Sequence, residues 1–455
     1  MKTQTLLILT LCMFTVAFYA QEGHVQQPGN GITSAGLNAG ISNYGSTYFG
    51  EKAGQNSSGY SNTFIGNNTG INNSGSNGVF IGISAGYSNT NGIANTFIGA
   101  QAGKFNTSGG YNLFSGYDSG YSNTTGSRNT FLGYQTGYKN TTGYYNTFLG
   151  AYSGYSNTTG YRNSFFGYQS GYKNTTGTFN VMVGERTGFS NTTGYRNVFL
   201  GAYTGQSNTT GNRNTFLGNE SGPKNTTGRQ NVMVGERTGY ANTTGYYNTF
   251  LGSLSGYKNT TGNYNTFSGM YSGFSNTTGY RNTILGYQSG FLNTTGRQNV
   301  MIGDLAGYSN INGTYNTFLG SASGNKNTSG TYNVFNGYQA GYLNTSGHRN
   351  TFLGFQSGYK NNSSQGSVFI GHQAGFNETA SNRLYIDNSS TTTPLIYGKF
   401  DTDQVGINTK NIPAGFALAV KGKVITDEVR VAVEGTAGWP DFVFEKDYPL
   451  PSLKS

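Results

Sequence analysis

The 455-residue chain has little of what most catalytic or cross-linked proteins are built on. It has one cysteine, seven prolines, three histidines and one tryptophan, and only 10% of its residues are charged. The single cysteine, Cys12, sits in an apolar leader, which leaves the rest of the chain without a disulfide or a thiolate metal site. None of His24, His348 or His372 lies in an HExxH pattern or beside a cysteine. No GxxxxGK[ST] phosphate loop occurs, and the regular G-G-x-G-x-D spacing of calcium-binding β-rolls is missing. These absences argue against an enzyme, a metal site or a bound cofactor. Hydrophobic residues make up 34% of the chain, low for a globular domain, yet aromatics reach 15%, too many for a disordered chain. With 73 glycines but few prolines and no G-X-Y period, collagen is excluded.

Residues 1–20 read as a secretory signal. Lys2 precedes an apolar stretch from Leu6 to Val16, and Ala17 and Ala20 offer small cleavage positions. The stretch is too short for a spanning helix, so no transmembrane segment is expected in the mature chain, which is placed outside the cell or on its surface. Residues 21–376 carry 18 Lys and Arg against 7 Asp and Glu, whereas residues 377–455 carry 8 against 10. A basic body is thus joined to a slightly acidic end.

What the chain does have is a repeat. Asn129-Thr130-Phe131-Leu132-Gly133 returns as Asn146-Thr147-Phe148-Leu149-Gly150, and the core glycine recurs every 17 residues from Gly82 to Gly371. Only a fold whose every turn stacks on the one before requires such constancy. Relative to the core glycine, Asn lies four before (Asn129, Asn146, Asn163) and again seven after (Asn140, Asn157, Asn174), and an apolar residue lies two before (Phe131, Phe148). The expectation is an all-β chain: a parallel β-solenoid or β-roll of 17-residue coils with a small β-rich C-terminal region. Residues 21–45 would form a linker or cap, 46–376 the solenoid and 377–455 the C-terminal region. A circuit of this length has room for two or three strands of about four to five residues. Roughly eighteen coils stacked at about 4.8 Å give a rod of about 90 Å. Asn over Asn and Phe over Phe would form hydrogen-bonded and stacked ladders, with Gly133 and Gly150 at turns. The early steps, Gly50 to Gly66 to Gly82, are 16 residues and mark imperfect end coils.

Phe131 and Leu132 are adjacent on one strand, so they face opposite ways, and both are apolar. A strand apolar on both faces needs cover on both, which predicts a homo-oligomer, in first place a trimer.

The pattern N-T-F-L-G-x-x-S-G-Y is similar to the head repeats of trimeric autotransporter adhesins, a resemblance that implies trimeric left-handed β-rolls. The tail resembles secreted Bacteroidetes proteins with phage tail-fibre-like ends through Asn382-Arg383-Leu384-Tyr385-Ile386-Asp387, Val405-Gly406-Ile407-Asn408, Ala419 to Val424 and Trp439 to Phe444. In that class the segment matching Asp447 to Leu453 leads into a helical or chaperone-like end. The sequence stops at Ser455 before one, so either it is cut short or trimerisation rests on the rod.

Lys139, Lys173 and Lys258 share one column, and Arg128, Arg162 and Arg196 another. Beside exposed tyrosines they would form a ligand-binding stripe for surface glycans or other polyanions, with no specific nucleic acid; plain solvation of the rod is the blander reading. Glu185-Arg186 and Glu236-Arg237 read as local charge pairs in a copied repeat. The Asn-Thr-Thr sequons read as ladder positions, since glycans at about 4.8 Å spacing would crowd. Repeated Thr141, Thr158, Thr175 and Thr192 allow a less favoured ice-binding reading. The function that fits best is a secreted or surface-exposed structural or adhesive rod acting by multivalent contact.

Overall fold

A computed structural model describes residues 25–27, 31–41 and 44–429. The predicted leader with Cys12, and the segments Trp439 to Phe444 and Asp447 to Leu453, lie outside the described residues.

Each repeat contributes one three-residue strand whose middle side chain is buried and whose flanking side chains face outward. Thr130–Leu132 is typical: Phe131 is fully buried, and Thr130 and Leu132 are half-buried. It pairs in parallel with Thr147–Leu149, matching Thr130 to Thr147, Phe131 to Phe148 and Leu132 to Leu149. The same register continues from Thr47–Phe49 through Val368–Ile370. The chain is therefore an all-β parallel solenoid of about 23 coils. The stack is longer than the uninterrupted 17-residue spacing implies, because the 16-residue steps near Gly50 and Gly66 and the first strand after residue 377 join it in register.

The expectation of two or three strands per circuit is corrected to one. Extended backbone is cut short at four corners per coil. Gly133 has φ +137° and Gly137 φ +60°, and two non-glycine residues, Arg128 at +57° and Gln135 at +48°, are also left-handed. Coil-to-coil bonding nonetheless runs round the whole circuit. The N–H groups of Gly137, Lys139 and Thr141 donate to the carbonyls of Ser153, Tyr155 and Thr158 in the following coil at 2.9–3.0 Å. Those of Arg128 and Gln135 donate back to Gly110 and Tyr117 at 3.0 and 2.9 Å. Backbone groups that never form a strand are thereby satisfied.

The apolar core is one column of side chains. Phe131 and Phe148 stack with ring centres 4.8 Å apart and planes 4° from parallel. That distance equals the spacing of paired strands, so backbone pairing and ring stacking reinforce each other. Met182, Met233, Ile284 and Met301 take the same place with no exposure. The glycine four after the core glycine is dictated by this column, since a Cβ on Gly137 would lie 2.5 Å from the Phe131 ring. At Gly133 a Cβ would lie 2.8 Å from the Gly150 carbonyl carbon. The low hydrophobic content follows directly, because one large apolar side chain per coil, joined in some coils by an alanine such as Ala102 or Ala306, fills the core and buried polar groups fill the rest.

Both ends of the stack change strand direction. Val25–Gln27 runs antiparallel to Ile32–Ala35 at the start. At the other end Arg383–Ile386 stays parallel to Val368–Ile370, and then Ile396–Lys399 and Gln404–Ile407 run antiparallel. These strands cover sheet edges that would otherwise template further pairing. The ring column turns here as well: Tyr385 meets Phe369 edge-on at 5.2 Å and 81°, and Tyr397 meets Tyr385 at 5.4 Å and 87°.

Candidate binding surface

The predicted site residues separate into an inner set and an outer set. Asn129, Asn146, Asn163, Asn140, Asn157, Asn174, Phe131 and Phe148 are buried. The two asparagine columns are bonded differently. In the column seven after the core glycine, each side-chain amide donates to the asparagine of the coil before. Asn157 reaches Asn140 Oδ1 at 2.7 Å and Asn174 reaches Asn157 Oδ1 at 2.8 Å. This chain of amides is unbroken from Asn73 to Asn344, and from Asn89 on each amide also donates to the glycine carbonyl three residues further, as Asn157 does to Gly160 at 3.0 Å. In the column four before the core glycine, the side-chain oxygen accepts the backbone N–H of the next coil and, at many rungs, a longer bond from that coil's side-chain amide, as Asn146 Oδ1 does from Asn163 at 3.2 Å. Asn146 N–H donates to Asn129 Oδ1 at 3.0 Å, while Asn129 Nδ2 donates to the Gly143 carbonyl at 2.8 Å. Asn163 repeats the arrangement on Asn146 and Gly177. Asparagine is required because its amide donates and accepts at once.

The amide chain stops at Asn344. Asn361 turns its amide to the Glu378 carbonyl at 3.2 Å, and Ser364 stands where earlier coils have glycine. The side-chain oxygens of Asn344, Asn361 and Ser364 are left buried without hydrogen-bond partners.

The outer set is exposed. Lys139, Lys173 and Lys258 lie in one column, each with its ammonium over the aromatic ring of the next coil: Tyr155 at 5.4 Å, Phe189 at 5.3 Å and Phe274 at 5.3 Å. Those rings stack among themselves, Tyr138 on Tyr155 at 5.2 Å and Tyr155 on Tyr172 at 5.1 Å. Burial, together with neighbouring phenols, pushes the Tyr138 and Tyr155 hydroxyls above their ordinary value. Arg128, Arg162 and Arg196 lie across the Asn-Thr-Thr-Gly segment from the lysines, at a corner. Arg128 donates to the Tyr145 hydroxyl at 2.8 Å. Sequence reasoning found both cation columns but missed that this corner is left-handed, because bulky residues rarely adopt such a backbone.

Two expectations change. The charge pairing is between coils and not local: Arg237 pairs with Glu220 at 2.6 Å, and Arg186 bonds to Gln169 at 2.9 Å. At the same two repeat positions near the start of the stack, Lys52 does pair with its neighbour Glu51, at 3.8 Å. The hydroxyls of Thr141, Thr158, Thr175 and Thr192 donate to carbonyls of the following coil at 3.1 Å, so their protons serve the stack and are not presented to water.

Among the described residues no three His, Cys, Asp or Glu side chains gather closely enough to hold a metal ion, and no helix is long and apolar enough to cross a membrane. No protein-family model matches the chain, and comparison with curated proteins found no match.

Proposed function

We propose that the protein is a rigid structural or adhesive rod, secreted or held at the cell surface, which acts by multivalent contact and not by turnover. The observation that carries this reading is the fixed register. Each exposed column presents one side chain per coil at the strand spacing, and chemically similar ones recur within it, as Lys139, Lys173 and Lys258 do, on a body pinned all round by backbone hydrogen bonds. Weak contacts held at fixed spacing on a stiff support sum to strong avidity without a deep pocket. The test is retention of the full chain on surfaces coated with heparin or lipopolysaccharide at graded density. Retention should rise steeply with density; a proportional rise would reject multivalency.

The rod is proposed to assemble as a homotrimer through its outward strand face, in keeping with the resemblance to adhesin head repeats. Leu200 and Leu251 on that face are 37% and 38% exposed, as are apolar residues at the same position in many other coils. A stripe this long favours cover by a second copy with the same period.

A further inference from the structure

Over six successive coils of one edge of the rod, aromatic rings and guanidinium groups alternate, until Arg213 follows Arg196 directly. The residue directly before the asparagine that lies four before the core glycine reads Tyr111, Arg128, Tyr145, Arg162, Phe179, Arg196, and all six are exposed. The Arg128 guanidinium lies 5.6 Å from the Tyr111 ring centre and 5.2 Å from that of Tyr145. Arg162 lies 5.9 Å from Tyr145 and 5.3 Å from Phe179, and Arg196 lies 6.0 Å from Phe179. All six residues have left-handed backbone, with φ between 54° and 61°. Asn or Gly would adopt that conformation at less cost, so the bulky side chains occupy the corner against backbone preference. Among the described residues the three arginines have no carboxylate in an ion pair with them. Ion pairs among the described residues join Lys52 to Glu51, Arg237 to Glu220, Arg383 to Asp401 and Lys410 to Glu378.

We infer that the run Arg128, Arg162, Arg196 is a binding edge for an extended anionic polysaccharide with one acid group per disaccharide. The inference rests on the rod reading above and names its ligand class and contact residues. Rings flank each guanidinium, and beyond the bond from Arg128 to the Tyr145 hydroxyl the remaining N–H groups are left to receive a carboxylate or sulfate. The forks recur at every second coil, about 10 Å apart, a distance comparable to the rise of one disaccharide in an extended β-linked chain. Nucleic acid fits less well, because its phosphates follow one another at about 3.4 Å along a helical strand. Tyr145 and Phe179 each lie between two arginines, so bases find few free platforms on which to stack. The lysine column is less suited. It nowhere holds three lysines in succession at two-coil steps, since Lys173 follows Lys139 by two coils but Lys224 follows Lys173 by three, and the groove of about 720 Å³ between Lys326 and Lys360 is floored by Leu343.

The experiment uses hyaluronan oligosaccharides, which carry one carboxylate per disaccharide, with the full chain, the triple variant Arg128→Gln, Arg162→Gln, Arg196→Gln, and a charge-matched triple variant Lys139→Gln, Lys173→Gln, Lys258→Gln. Thermal unfolding first checks that all three proteins are equally folded. Hyaluronan should bind the full chain, weaken by about tenfold or more in the arginine variant with a shallower salt dependence, and stay within about twofold in the lysine variant. Equal losses in the two variants, absence of binding by the full chain, or tighter binding of a single-stranded oligonucleotide of equal charge would overturn it. If the arginine variant binds as the full chain does while density-dependent surface retention persists, the edge is misassigned and the rod reading stands. If the full chain is not retained on any of the surfaces, both fail.

Discussion

Asn157 donates its side-chain amide to Asn140 Oδ1 at 2.7 Å, across one full turn of the chain, while also closing its own turn on the Gly160 carbonyl at 3.0 Å. One side chain thus fixes the turn it belongs to and the register of the turn below. With Phe131 over Phe148 beside it, this explains how a chain so poor in apolar residues holds a fixed structure. In most coils the buried asparagines are answered by the asparagine or the backbone of an adjacent coil.

Removing one rung should therefore cost more than its exposed surroundings suggest. Asn174→Ala takes the donor from Asn157 Oδ1 and the acceptor from Asn191 Nδ2. It should lower unfolding free energy by about 1–3 kcal/mol, measured from urea midpoints, whereas Thr176→Ala on the exposed side should stay within about 0.5 kcal/mol.

The glycine beside the ring column is set by that ring. Phe131→Ala should cost about 3–5 kcal/mol. Gly137→Ala should be destabilising in the native chain, where the added Cβ meets Phe131 at 2.5 Å, and less so in the Phe131→Ala background. Additive losses in this double-mutant cycle would mean that the strain at φ +60° alone requires the glycine.

The C-terminal end should loosen in acid. Burial raises the Glu378 carboxyl, but bonds from the Tyr385 hydroxyl at 2.5 Å, the Ala380 N–H at 2.9 Å and Lys410 at 2.9 Å more than offset it and hold it below its ordinary 4.5. A depressed carboxyl contributes stability that is complete above the unfolded value and is lost as pH falls through the folded one. Amide exchange across residues 383–407 should therefore quicken below about pH 4, and Glu378→Gln should flatten that dependence. Exchange in this segment that is indifferent to pH in both proteins, after correction for intrinsic rates, would remove the role assigned to Glu378.

If the outward strand face is a homotrimer interface, Leu149→Lys, Leu200→Lys and Leu251→Lys together should reduce the solution mass by light scattering to that of one chain. A native chain that is already monomeric would retire the trimer.

The parts of this fold legible in the sequence are those that stacking forces to repeat identically. The asparagine columns, the ring column and the 17-residue step could be read from Asn129, Phe131 and Gly133 and their copies. The number of strands per coil could not. Three-residue strands such as Thr130–Leu132 fall below the length at which alternation is informative, and the remaining coil contacts are single backbone bonds with no side-chain pattern. The left-handed corner at Arg128 and Arg162 was hidden because propensity assigns such backbone to Gly or Asn. The turn of direction after Arg383–Ile386 was hidden because the repeat ends there and takes its register information with it.

The central claim is that each 17-residue turn lies directly on the one before, and nitroxide distances test it most directly. Because Cys12 is the only cysteine, with Cys12→Ser as background, labels can be placed in one exposed column at Thr142, Thr193, Thr244 and Thr295. The pairs Thr142→Cys with Thr193→Cys, Thr244→Cys or Thr295→Cys span three, six and nine coils and should give distances near ~14, ~29 and ~43 Å, rising by about 4.8 Å per coil. Distances that fail to rise linearly with coil number, or that rise by a different increment, would contradict the stack.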